Sequence, residues 1–320
     1  MKFALFFAST FALIAASPAA AASETATLNC SVKDTSRDAT IAEGKRFTVQ
    51  VTGKGPDVIL IPGLSSPRAV WKESVNALAS CYTVHTIQIR GFGDDAGPNA
   101  QGPVLEPFIT ELADYIDDEI MNKGRSAPAI IGHSLGGLSA LIIGARHPRL
   151  ASKIMIVDAL PFIGTIFGAP DVAAVRPRAE VMAASIREQY KADAPKALLI
   201  DCDDPTEATK IKNIWSNTPR GRCMVENWGK QSDPRVTAQA MLDDTLTDMR
   251  PELPKIAAPV TLLYAQDDTV LPEAMMRAMY DSQYVETPNL TSVMIKGSYH
   301  FIMLDQPDAF IQQVALFLKD

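Results

Sequence analysis

The sequence predicts an α/β protein with a mostly parallel central sheet, helices on both faces and a helical insertion. Apolar runs of strand length alternate with segments of helical periodicity along most of the chain. Runs such as Asp57-Val58-Ile59-Leu60-Ile61 are apolar almost throughout, as strands covered on both faces must be. Between Leu160 and about Pro254 the alternation stops, and a stretch rich in Pro, Met, Trp and charged residues shows helical segments but no clear strand.

The chain opens with Met1-Lys2, an apolar run from Phe3 to Ala16, and a small-residue ending through Ala22. A charged start, a short apolar core and an Ala-x-Ala ending predict a cleaved secretory signal over residues 1–22. The run is shorter than the roughly 20 residues that span a bilayer. Mature protein is therefore expected in the periplasm or outside the cell, without stable membrane insertion. Residues 23–160 form the first part of the core, 161–254 the insertion over the sheet's C-terminal edge, and 255–320 the second part of the core.

Apolar and polar residues alternate over Arg46–Val51, which predicts a half-buried strand. Asp57–Ile61 is a buried strand closed by Pro62-Gly63. A helix follows near Val70–Leu78, then a strand at Thr83–Ile89 ending in Arg90-Gly91-Phe92-Gly93. Leu105, Phe108, Ile109, Leu112, Ile116 and Ile120 share one helical face. Strand Ala127–Ile131, helix Leu135–Arg146 and strand Lys153–Val157 come next. Beyond the insertion lie strand Val260–Tyr264, helix Glu273–Asp281, strand Leu290–Ile295 and a closing helix from Pro307.

A formal net charge of −7 argues against nucleic acid as a partner. Four cysteines suit an exported protein. Cys202 and Cys223 share one stretch and are expected to pair, leaving Cys30 with Cys81. Neither cysteine spacing suggests a metal site, and there is no Cys-x-x-Cys.

Gly132-His133-Ser134-Leu135-Gly136-Gly137 lies between a buried strand and a helix. Acyl transfer needs a hydroxyl presented on a tight strand-to-helix turn, and glycines two positions either side give the room for it. Ser134 is thus the candidate nucleophile, and the helix behind it aims free N–H groups at developing negative charge. The backbone N–H of Leu135 and that of Leu64, in the turn after Ile61, are the expected oxyanion donors.

Of four histidines, His133 is expected to pack, His85 to be a satisfied structural residue in a strand, and His147 to cap a helix C-terminus. His300, in a loop between the last strand and the last helix, is the expected base by position and elimination. A base needs a carboxylate to hold its tautomer. Asp267 and Asp268 follow one strand, and Asp158 follows the strand before it; for Asp158 the simpler reading is an acceptor that closes a loop.

These residues make the chain resemble the α/β-hydrolase superfamily, in its capped branch of esterases and prolyl aminopeptidase-like enzymes. The matching blocks are Ile61–Ser66, Ile89–Gly93, Gly132–Gly137, Asp267–Pro272 and His300–Pro307. In that family the acid stands four residues before a proline, so the resemblance assigns the role to Asp268, which precedes Pro272 by four. Pro62-Gly63 and Gln88 depart from the His-Gly and Asp the family often carries there. The implied enzyme uses Ser134, His300 and Asp268 to cleave a carboxylic ester, a small-molecule ester-like substrate, without cofactor or metal. Another acyl bond is the runner-up; an N-terminal peptide amide would call on acids such as Glu207, Glu226 or Asp233 to hold an ammonium group. A non-catalytic binding protein is a third reading. Phe162, Phe167, Met182, Trp215, Met224 and Trp228 are apolar candidates from the insertion, and Phe162, Trp215 and Met224 are expected to contact substrate.

Overall fold

The computed structural model describes residues 39–192 and 197–319. The expected signal over residues 1–22 and Cys30 lie outside the described residues.

Eight strands form one sheet: β1 (Thr40–Glu43), β2 (Phe47–Thr52), β3 (Asp57–Ile61), β4 (Thr83–Ile89), β5 (Ala129–His133), β6 (Lys153–Val157), β7 (Val260–Gln266) and β8 (Leu290–Lys296). Their order is β1-β2-β4-β3-β5-β6-β7-β8. β2 pairs antiparallel with β1 and β4, and every other pairing is parallel. The antiparallel edge strand β1 was not expected. It is four residues long and exposed throughout, so it carries no apolar period to read.

The helices are α1 (Lys72–Leu78), α2 (Leu105–Glu119), α3 (Leu135–Arg146), α4 (Val172–Arg187), α5 (Pro205–Ala208), α6 (Pro219–Gln231), α7 (Pro234–Thr245), α8 (Glu273–Tyr284), α9 (Ile302–Asp305) and α10 (Pro307–Lys319). The two faces of the sheet divide the core, because successive side chains on a strand point opposite ways. On β3, Ile59 and Ile61 join a cluster with Phe108 and Leu112 of α2 and Leu138 and Ile142 of α3. Val58 and Leu60 point to the other face and pack with Leu78 of α1 and Phe310 and Val314 of α10. There Trp71 and Phe310 stack at 6.0 Å.

Helices α4 to α7 all fall between β6 and β7. Asp171, Asp204, Thr218 and Asp233 cap their N-termini, each accepting a backbone N–H from the first turn. Cys202 and Cys223 are disulfide-bonded, with Cα atoms 5.5 Å apart. Among the described residues no helix is long and apolar enough to cross a membrane.

Parallel strands bring their C-terminal ends to one edge of the sheet. Pro62 after β3, Ser134 after β5, Asp158 after β6, Asp267 after β7 and Gly297–His300 after β8 all lie there. Ligands of open parallel sheets bind at that edge.

Candidate active site

Ser134 sits between β5 and α3 with φ 53° and ψ −121°, a conformation that costs an L-residue of order 1–3 kcal/mol. The turn is tight enough that a Cβ on Gly132 would run into the Gly136 carbonyl. Gly137 and Leu138 donate to the Ser134 carbonyl at 2.7 and 3.0 Å, so α3 starts on the nucleophile's own backbone. Leu135 is the first residue of α3, and its N–H has no carbonyl within the helix to reach.

The turn after β3 packs directly on this elbow. A Cβ on Gly63 would fall 2.8 Å from Nδ1 of His133 and 3.0 Å from Cβ of Ser134. The turn closes with Ser66 N–H donating to the Gly63 carbonyl at 3.2 Å, and the Leu64 N–H donates no hydrogen bond among the described residues. Leu64 and Leu135 thus both leave backbone donors beside Ser134.

His300 lies 2.7 Å, Nδ1 to Oδ2, from Asp158. The other oxygen of Asp158 accepts from the Ala265 N–H at 2.8 Å and the Tyr280 hydroxyl at 2.9 Å. A carboxylate so surrounded is fixed in position, and it holds the His300 proton on Nδ1 with the lone pair on Nε2. Burial, followed by the charge of Asp158, holds the Tyr280 hydroxyl protonated far above pH 10, so it stays a donor.

This geometry corrects the expectation for Asp268. That residue is exposed, and its carboxylate accepts from the Gln266 amide at 2.7 Å. Asp267 turns back on Thr269, taking its N–H at 2.9 Å. The reason lies in sheet order. The loop after β8 returns across the edge until the His300 carbonyl meets Nε2 of His133, at the end of β5, at 3.0 Å. From there the neighbouring carboxylate is that of β6, not β7. Asp158 has φ 48°, a bend at the strand end that no apolar pattern reveals.

His133 packs, as expected, and also donates from Nε2 to that carbonyl. Burial, then the charge of His300, pushes its pKa well below the usual histidine range, so it stays neutral. His85 is satisfied by the Tyr115 hydroxyl at 2.8 Å and Asp57 at 2.6 Å. His147 is the C-cap of α3.

The candidate substrate residues separate. Trp215 is 48% exposed, with its ring 5.7 Å from that of His300. Its carbonyl accepts the Phe301 N–H at 3.2 Å. Asp305, unmarked by sequence reasoning, ties this segment to the histidine loop. Its buried carboxylate accepts from Ser216 Oγ at 2.5 Å, Asn217 N–H at 3.1 Å and Tyr299 N–H at 2.8 Å. Met224 is half-buried against the cluster holding Trp228 and Phe301. Phe162 is fully buried with Ala169 and Val175, so it serves the insertion's own packing and is not presented to substrate. Among the described residues no group of His, Cys, Asp and Glu could hold a metal ion.

Residues 58–313 match the model of the alpha/beta hydrolase family. A pimeloyl-[acyl-carrier protein] methyl ester esterase of Vibrio atlanticus is 22% identical over 271 residues, covering 84% of this chain and 96% of that protein. Among solved structures, a thermophilic esterase from Thermogutta terrifontis aligns with TM-score 0.66 and 19% identity, covering 88% of this chain and 98% of that one. The enol-lactonase of Burkholderia xenovorans LB400 aligns with TM-score 0.63 and 18% identity, covering 88% of this chain and all of that one.

Proposed function

The chain belongs to the alpha/beta hydrolase family and is a hydrolase, and from that premise we propose that it cleaves a carboxylic ester through Ser134, His300 and Asp158. The observation that carries this reading is the His300–Asp158 pair, seated at the sheet edge that presents the strained Ser134 turn. Nε2 of His300 takes the Ser134 proton as the hydroxyl attacks the carbonyl carbon. Asp158 stabilises the imidazolium that forms. The N–H groups of Leu64 and Leu135 hold the tetrahedral oxyanion. His300 then protonates the leaving alcohol, and water, activated by the same imidazole, releases the acid from the acyl-enzyme.

Relatives named as methyl ester esterases support an ester as the bond. The helices between β6 and β7 act as a cap, with Trp215 lining the approach to His300. The leader pattern of residues 1–22 and the Cys202–Cys223 disulfide support export to an oxidising compartment.

The test is labelling with a fluorophosphonate probe, followed by turnover of aryl esters and amino-acid anilides. Wild type should label and hydrolyse esters, and Ser134→Ala should do neither. An unlabelled Ser134 overturns the serine reading; anilide turnover without ester turnover overturns the choice of bond.

A further inference from the structure

We propose that Asp244 is a substrate-binding carboxylate that receives a protonated amine carried by the substrate of the Ser134 site. The inference rests on the serine-hydrolase reading and names the class of substrate.

Helix α7 crosses the sheet edge above the candidate site. At its start, the Asp233 N–H donates to the Gly91 carbonyl after β4, at 2.8 Å. One turn later Thr237 Oγ1 lies 2.9 Å from Ser65 Oγ, beside the turn that carries Leu64. Past its end, the Met249 N–H donates to the Pro161 carbonyl after β6 at 2.8 Å. In sheet order β5 lies between β3 and β6, so the helix passes over the strand that ends at Ser134.

Seven residues make about two helical turns, so Asp244 shares the inward face of Thr237. It also continues the buried stripe of Val236 and Ala240 at intervals of four. Asp244 is 8% exposed. Its neighbour Asp243 points elsewhere and caps α2, accepting from Val104 and Leu105 N–H at 2.7 and 3.0 Å. The Asp244 carboxylate accepts no hydrogen bond among the described residues. The cation within its electrostatic reach is His300 when protonated.

A buried carboxylate without a partner is costly, and such groups are normally paired. Here the unpaired carboxylate lies on the face of α7 that also carries Thr237, which meets the turn after β3 at Ser65. Glu207, Glu226 and Asp233, the acids first considered for an ammonium group, are already paired with Lys210, Lys230 and Arg235. The half-exposed Trp215 ring beside His300 adds a π-face suited to a cation.

Two measurements test the proposal, and they fail separately. In Ser134→Ala protein, calorimetry compares two amine–methyl isostere pairs: 6-aminohexanamide with heptanamide, and 3-aminopropanamide with butanamide. At least one ammonium ligand should bind about ten- to a hundredfold tighter than its neutral isostere. Adding Asp244→Asn should abolish that preference. In protein retaining Ser134, the p-nitrophenyl esters of the same acids should show the same preference in kcat/KM, again lost in Asp244→Asn. Equal binding within both pairs, or a preference that survives Asp244→Asn, overturns the role of Asp244. A binding preference in protein that neither labels at Ser134 nor turns over any ester keeps Asp244 as the amine site and overturns the serine reading instead.

Discussion

Asp158 Oδ2 stands 2.7 Å from His300 Nδ1, while its Oδ1 is held by a backbone N–H and a tyrosine hydroxyl. Every polar neighbour of this carboxylate is a donor, so its orientation is set before substrate arrives. Asp158→Asn keeps the shape but cannot hold the same histidine tautomer, and should lower kcat by about 10³–10⁴-fold. Asp268→Asn alters an exposed residue and should change kcat less than about threefold. Steady-state kinetics on one aryl ester decides between them, and the reverse order of effects would return the acid role to Asp268.

Much of this was legible in the sequence because burial on both faces leaves a strong signature. The bounds of β3, β4, α3 and β6 coincide with apolar runs that end at Pro62, Arg90, His147 and Asp158. The resemblance points to Asp268 because the family pattern at Asp268–Pro272 outweighs a local signal. A carboxylate directly follows β6, next to the nucleophile strand, and that placement alone could have favoured Asp158. Asp244 was missed for a different reason. An acid on a helix ordinarily faces water, and only its position four and eight residues after Ala240 and Val236 marks it as buried. Contacts between distant segments, such as Asp305 with Ser216, leave no period at all.

Gly63 touches both the nucleophile and His133, so the smallest added group has nowhere to go. Gly63→Ala should displace the turn and with it the Leu64 donor. Loss of one oxyanion donor costs about 10²–10³ in kcat. The expected result is that fall in kcat with KM little changed, measured on the same ester. Full activity in the alanine variant would remove Leu64 from the oxyanion site.

Asp305 joins the Trp215–Asn217 segment to the loop bearing His300. Asp305→Ala would leave three donors without their acceptor, two of them backbone N–H groups. The protein should lose about 2–4 kcal/mol of stability, and kcat should fall about tenfold as Tyr299 and His300 loosen. Chemical denaturation and kinetics read the two effects. A stability loss with unchanged kcat would show that Asp305 anchors the insertion without positioning the histidine.

Asp244 also predicts a dependence of stability on pH. Burial raises its carboxyl from the ordinary 3.8 to about 7, partly opposed by the charge of His300. Below pH 4 the folded and unfolded chains both hold the proton, and the group costs nothing. Between about 4 and 7 the unfolded chain has released a proton that the folded chain keeps, so stability falls as pH rises. Above 7 the full penalty applies, with a ceiling of about 4 kcal/mol for a shift of this size. Asp244→Asn removes the titrating group. The variant should therefore melt above wild type at pH 8, and the gap should shrink steadily toward pH 4. Calorimetric melting at pH 4, 6 and 8 measures this directly. A gap that does not change with pH would mean that Asp244 ionises as readily in the folded chain as in the unfolded one, so that it is not the desolvated carboxylate an amine is proposed to meet.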